Sequence, residues 1–315
     1  MIPASPLSIK PPTKVRDLRA LDILDWLGAY YGEKPDPCVC DCDYSIWECS
    51  ETGLQFAYPA RQGNQHFYRW VGGFASYYPT SRWEYAKVRE LALKENLIPR
   101  DRGYLLDVGS GRGDFLKSFD LIDSDRRMGI DLNKPAVDDC VASGISCYCG
   151  TIDSALETGF VARGQCDIVV SFHCLEHVEN PVAFTSSLLE LCSPEGRVFL
   201  STPNSPMSFE GKWFDILNHP PHHLSRWNQY AYKKLAETLG CHLRTFFAPT
   251  SLAGDVAKLF RLLRYGANGA PKSKLLLSAA LHPMQLLGCA ADQIARRRKG
   301  PAHQSDVILV ELRRK

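Results

Sequence analysis

The 315-residue sequence has no uninterrupted apolar run of about 18 residues, so no membrane-spanning helix is expected. The nearest stretch, residues 275–291, is broken by Ser278, His282, Pro283 and Gln285. The first ten residues carry one basic side chain, Lys10, and prolines interrupt any apolar segment at 3, 6, 11 and 12. No secretory signal is therefore expected, and residues 1–15 read as a flexible tail. An excess of one charge is missing too. The 37 Lys and Arg against 35 Asp and Glu leave +2, which excludes charge-driven disorder and supplies no global field for nucleic acid. No internal repeat is visible.

What is present is an ordinary globular composition, 45% hydrophobic, long enough to bury a sizeable core. Twelve cysteines stand in it. Four crowd at Cys38, Cys40, Cys42 and Cys49, and others sit in strand-like runs. With no signal segment expected, a reducing, cytoplasmic setting is favoured over a disulfide framework.

The apolar pattern divides the chain. Residues 16–32 read as a helix with a stripe of Leu18, Leu21, Ile23, Leu24 and Leu27. Residues 38–58 form a short cysteine-containing unit, and 66–98 are largely helical and rich in aromatics. From 103 the grammar becomes alternating strands and helices. Strands are expected at 104–108, 127–132, 145–149, 166–171, 196–201, 243–247 and 307–312. Asn180-Pro181 suits a helix start, and Ser225 is a candidate cap for a helix ending at Gly240. This order implies a mostly parallel sheet covered on both faces. The expected divisions are the tail, a helical and cysteine cap over 16–98, and an α/β domain over 99–315 with a helical insert at about 252–304. The insert holds amphipathic pieces and ends in the basic run Arg296-Arg-Arg-Lys299. It reads as a helical lid or dimer surface, or as a peripheral membrane or lipid-linked-substrate contact.

The most informative segment is Asp107-Val-Gly109-Ser-Gly111-Arg-Gly113-Asp, a strand running into glycines spaced two apart and then a helix. Glycine lets the backbone approach a ligand where a Cβ would collide. A dinucleotide loop would need glycine at 114, where Asp114 stands, and no Gly-Lys-Ser/Thr follows. Asp131 closes the second strand, where a carboxylate can accept both hydrogens of a ribose diol. Two carboxylates and no phosphate donor suit a nucleoside carrying positive charge.

These residues resemble the class I S-adenosylmethionine-dependent methyltransferases, over roughly residues 80–250. The resemblance extends to Gly129-Ile-Asp131-Leu, to Gly150-Thr-Ile152-Asp and to Leu175-Glu-His177-Val-Glu-Asn-Pro181 of the small-molecule branch, then to Gly196-Arg-Val-Phe-Leu-Ser-Thr-Pro203-Asn204. It implies a three-layer Rossmann-like sandwich, with a mostly parallel seven-stranded sheet and an antiparallel last strand. It also implies a cofactor site of Asp107, Gly109, Ser110, Gly111, Gly113, Asp131, Leu132, Thr151, Ile152 and Phe172, with S-adenosylmethionine as cofactor.

His177, after the fourth strand, and His222 and His223, in Pro220-Pro-His-His-Leu-Ser225, are the candidate catalytic bases. Each can equally be structural, and His222 with His223 can form a metal pair. Tyr68, Tyr77, Tyr78, Trp83 and Tyr85 are candidates for the cleft wall. Cys38, Cys40, Cys42 and Cys49 have the number and chemistry of a tetrahedral zinc set. Relatives carry paired C-x-x-C knuckles ending in Cys-Gly-Leu, but Thr52 replaces that last cysteine here, so a metal-free cap is the other reading.

The expected function is methyl transfer to a small-molecule acceptor, oxygen first. C-methylation of a nucleotide-linked sugar, methylation of a glycan or lipid-linked intermediate, and a non-catalytic nucleoside-binding protein are the alternatives. No nucleic-acid partner is expected, since Ser171-Phe-His-Cys differs from the Asn/Asp-Pro-Pro-Tyr run used on bases. The chain is expected as a monomer or homodimer.

Overall fold

The computed structural model describes residues 2–74, 80–97, 103–208, 210, 215–250, 291, 293–301 and 305–315. The N-terminal part comprises β1 (Thr13–Leu18), α1 (Ala20–Tyr31), β2 (Tyr44–Glu48), β3 (Gln55–Tyr58), α2 (Gln65–Gly72) and α3 (Trp83–Lys94). The α/β part follows with β4 (Leu105–Val108), α4 (Asp114–Ser118), β5 (Arg127–Asp131), α5 (Lys134–Ala142), β6 (Ser146–Cys149) and α6 (Ile152–Glu157). It continues through β7 (Cys166–Phe172), α7 (Pro181–Leu191), β8 (Cys192–Pro203), β9 (Ser225–Arg226), α8 (Gln229–Thr238), β10 (Cys241–Phe247) and β11 (Val307–Arg314).

The main sheet has seven strands in the order β10-β11-β8-β7-β4-β5-β6. β4, β5, β6, β7 and β8 pair in parallel, whereas β11 runs antiparallel to both β8 and β10. This is the expected α/β architecture, with the reversed strand inserted between two others. Alternation along each strand makes the layers. Leu106, Val169, Val198, Leu200, Ile308 and Val310 enter one buried cluster with α7 and α8. Leu105, Ile168, Val170, Phe199 and Leu309 enter the opposite cluster with α3, α4 and α5. Both faces are dry, which is why these strands read as near-continuous apolar runs.

A second, four-stranded sheet has the order β1-β2-β3-β9. Its last strand belongs to the α/β part, with Phe56 opposite Ser225, so the cap is stitched to the domain by backbone pairing. Ser225 is therefore a strand residue and not the expected helix cap. Asn228 takes that role, its side chain accepting the N–H groups of Tyr230 and Ala231. The expected helix from residue 16 begins instead at Ala20. Residues 13–18 extend along β2, with Leu18 buried at the strand's end. The stretch expected as a loose tail is partly anchored: Leu7 is buried in the main core, and Ser8 donates to Glu51 at 2.7 Å.

Most of the expected insert lies outside the described residues, as do Tyr77 and Tyr78. Residues 293–298 are helical. Arg296, expected on a solvated basic end, donates to the carbonyls of Pro206 and Met207 and so faces the protein.

Candidate active site

The turn after β4 is made by three glycines in the left-handed region, Gly109, Gly111 and Gly113, with φ of 82°, 52° and 74°. An L-residue is strained there. Packing adds to the constraint, because a Cβ on Gly113 would stand 2.4 Å from Cys140 Sγ on α5. The turn is tied to the next strand by the N–H groups of Gly109 and Ser110, both donating to the Ile130 carbonyl.

Asp131, at the end of β5, fastens the same turn. One carboxylate oxygen accepts the Gly111 N–H at 2.7 Å and the other the Asn133 N–H at 2.8 Å. Burial raises its pKa, opposed by those backbone donors. Asp107 is more exposed to this conflict. It is 3% solvent-accessible, and its Oδ1 has no hydrogen-bond partner among the described residues. Burial pushes its pKa well up, the Asp131 charge and the Cys147 thiol push further, and Arg82 pulls down. A buried carboxylate with an orphan oxygen beside a second carboxylate is a place for a cation.

The remaining expected cofactor residues divide. Ser110 sits in the turn, 3.4 Å from Cys147 Sγ. Leu132 is largely exposed beside Asp131, available to cover a planar ligand. Thr151 caps α6 in a reciprocal pair with Ser154, so its hydroxyl is committed to the helix. Ile152 packs into the main core. Phe172 packs against Phe115 and Tyr85 at centroid distances of 5.0 and 5.3 Å, as part of the core beneath the site.

Sequence reading missed the residue that anchors the β7 exit. Glu84, on α3, is buried with Val88, Leu91 and Ala92. A carboxylate on the apolar face of a helix was the available signal. It meets His173 Nε2 at 2.7 Å, while His173 Nδ1 faces Glu176 at 3.4 Å. Burial lowers the His173 pKa, but the two carboxylates outweigh it and the net shift is upward. The ion group fixes the backbone at His173, whose φ is 52°. That turn sets Cys174 over Gly109 and aims the following residues toward the Pro220–Leu224 segment, where the Leu224 N–H donates to the Glu176 carbonyl at 2.7 Å.

The structure brings His177, His222 and His223 together, although the first stands far from the others in sequence. Ring centroids are 4.7 Å apart for His177–His222, 4.8 Å for His177–His223 and 4.5 Å for the stacked His222–His223 pair. Each Nδ1 faces an oxygen: His177 that of the His222 carbonyl at 2.5 Å, His222 that of Leu217 at 2.8 Å, His223 the Asn218 side chain at 3.0 Å. Burial drives the His222 pKa down to about 3 and that of His223 well below the usual value, each reinforced by neighbouring histidines. Both are neutral at pH 7 and weak as proton acceptors. The ring of Tyr68 stands 6.4 Å from that of His177 and forms one wall.

Cys38, Cys40, Cys42 and Cys49 are not brought together. Cys40 packs in the cap cluster, its thiol 3.6 Å from the Cys42 carbonyl, Cys38 is exposed, and Cys49 lies in the main core. The four thiols therefore do not form an assembled tetrahedral set in this arrangement. Strand β2 separates Cys49 from the other three, and its side chain points to the domain core rather than to them.

The sequence matches a protein family described as a methyltransferase domain over residues 81–254, more than half of the chain. No curated protein matches by sequence. Among solved structures, the chain is similar to a SAM-dependent methyltransferase from Archaeoglobus fulgidus, at 14% identity and a TM-score of 0.45, covering 72% of this chain and 93% of that one. It is similar also to the plantazolicin methyltransferase BamL, crystallised with a desmethyl-plantazolicin analogue and SAH (15%, 0.44, 73% and 82%). A third is magnesium protoporphyrin IX methyltransferase from Synechocystis PCC 6803 with bound SAH (14%, 0.44, 74% and 82%). At these values they add nothing to what the strand order itself shows. With the glycine turn, the two strand-end carboxylates and the inserted antiparallel strand in place, the chain belongs to the methyltransferase domain family.

Proposed function

We propose that the protein transfers a methyl group from S-adenosylmethionine to an oxygen of a small molecule. The observation that carries this reading is Asp107, buried beside Asp131 at the glycine turn with an oxygen left for a positively charged group. The residues present fit the cofactor. Gly109, Gly111 and Gly113 give the turn the left-handed backbone that shapes it, Asp107 can meet the cofactor's ammonium, and Asp131 retains lone pairs for the ribose hydroxyls. When bound, the cofactor supplies an activated methyl on a sulfonium, so the chain's work is to orient the acceptor and accommodate loss of a proton. Tyr68 and the three histidines form the opposite wall, where the acceptor would lie. His177, whose Nδ1–H is held by the His222 carbonyl, is the residue of that wall set to face the acceptor hydroxyl.

The described cysteines are free thiols, which fits a reducing, cytoplasmic compartment. Among the described residues no helix is long and apolar enough to cross a membrane. The test is incubation with methyl-labelled S-adenosylmethionine and a panel of phenols, sugars and lipid-linked glycans. Label on an acceptor oxygen is expected. Label on carbon would replace the oxygen reading by C-methylation, and no label on any acceptor by folded protein would favour nucleoside binding without catalysis.

A further inference from the structure

The geometry points to a metal site: His177, His222 and His223 hold one divalent transition-metal ion of the zinc class through their Nε2 atoms. The ion's proposed role rests on the methyltransferase reading above; its binding does not.

Among the described residues this is the one group of three or more His, Cys, Asp or Glu side chains close enough to share an ion. One ring nitrogen from each lies within 4.8 Å of the others. Closing to the roughly 3.3 Å between nitrogens on a tetrahedral ion needs ring shifts of about 1 Å. The tautomers are already set. The oxygens facing His177 Nδ1 and His222 Nδ1 are backbone carbonyls, and that facing His223 Nδ1 is the amide oxygen of buried Asn218. Such oxygens only accept, so each Nδ1 carries the hydrogen and each Nε2 the lone pair. Metal-binding histidines are held in this way, with the second nitrogen donating to a carbonyl that fixes the ring. Three close-set lone pairs repel one another, and a cation between them turns repulsion into attraction.

Glu176 supplies the charge. It is 1% exposed, neither carboxylate oxygen has a hydrogen-bond partner among the described residues, and Oε1 lies 3.9 Å from His223 Nε2. Its other charged neighbour, His173, is already shared with Glu84. Three neutral imidazoles select zinc, cobalt, nickel or copper over magnesium or calcium, which prefer oxygen. Three protein ligands leave the fourth position open. In the methyltransferase that position takes the acceptor hydroxyl. The O–H bond breaks and its proton passes to water. The new O–CH3 bond forms as the S–CH3 bond breaks, and the electron pair stays on sulfur in S-adenosylhomocysteine.

The experiment uses the full chain, dialysed against chelator and titrated with Co2+. One equivalent is expected, with visible ligand-field bands and no thiolate charge-transfer band. His177→Gln should weaken Co2+ binding at least about tenfold while S-adenosylhomocysteine affinity, read by calorimetry, stays unchanged. In the unmutated protein, paramagnetic Co2+ should shift the ring protons of these three histidines, a readout independent of whether a variant folds. Folded protein that takes up no Co2+, uptake unaffected by His177→Gln, or a thiolate band overturns the site. Co2+ bound by the histidines without any binding of S-adenosylhomocysteine keeps the metal site and removes the methyltransferase reading instead.

Discussion

The two walls of the site follow opposite electrostatic designs. On the glycine-turn side, Asp107 is buried and Asp131 half-buried, both pKa values are raised by burial, and one Asp107 oxygen has no donor among the described residues. On the other side, His222 is buried and His223 mostly so, both with pKa values lowered and each Nδ1 tied to an oxygen. The first wall is short of positive charge; the second offers lone pairs. Between them Glu84, His173 and Glu176 form a paired group that holds the β7 exit. A carboxylate left unsatisfied in the folded protein lowers stability until a cationic ligand arrives. Neutral imidazoles carry no such penalty of charge and can be packed tightly.

The largest effect is expected from breaking the group between the walls. Glu84→Ala leaves the buried His173 with one carboxylate and should cost about 3–5 kcal/mol in chemical denaturation. An effect below about 1 kcal/mol would mean that the contact is incidental. Asp131→Ala removes both the ribose acceptor and the partner of the Gly111 N–H. S-adenosylhomocysteine affinity should fall about 100-fold, the loss of two charge-assisted hydrogen bonds.

Asp107→Asn sharpens the contrast, because its two readouts move in opposite directions. It should weaken S-adenosylhomocysteine binding about tenfold and raise stability by about 1 kcal/mol, since an unpaired buried charge is removed. Loss of both together would show a merely structural aspartate. The pH dependence is a smaller effect of the same origin. The folded-state pKa of His173 lies above its unfolded value, so its contribution is fully present below about pH 6.5 and is lost as pH rises through the folded value. Glu84→Gln should flatten that alkaline loss of stability, measured by urea midpoints across pH.

The sheet was legible because its central parallel strands are buried on both faces. Ile168, Val169 and Val170 point to alternate sides yet are all buried, so the strand shows as an unbroken apolar run. The glycine turn was legible because its constraint is local, carried by residues within one loop. Pairings across the chain were not. β9 is two residues long and its pairing with Phe56 has no local signature, so Ser225 looked like a helix cap. Thr13–Leu18 became a strand through its partner β2, against the helical stripe that continues into α1. At the cysteines, proximity in sequence does not become proximity of side chains, since β2 lies between Cys40 and Cys49 and the two pack in different clusters. For the histidines, adjacency gave His222 and His223, but only the fold adds His177.

The central claim is that the glycine-turn wall is built for a nucleoside carrying positive charge. Calorimetric titration of the wild-type protein and Asp107→Asn with S-adenosylhomocysteine and with adenosine, which lacks the ammonium, tests it most directly. The account predicts that the wild type binds S-adenosylhomocysteine more tightly than adenosine and that the substitution removes most of this difference. No binding of S-adenosylhomocysteine by folded wild-type protein, or a preference that survives Asp107→Asn intact, would contradict it.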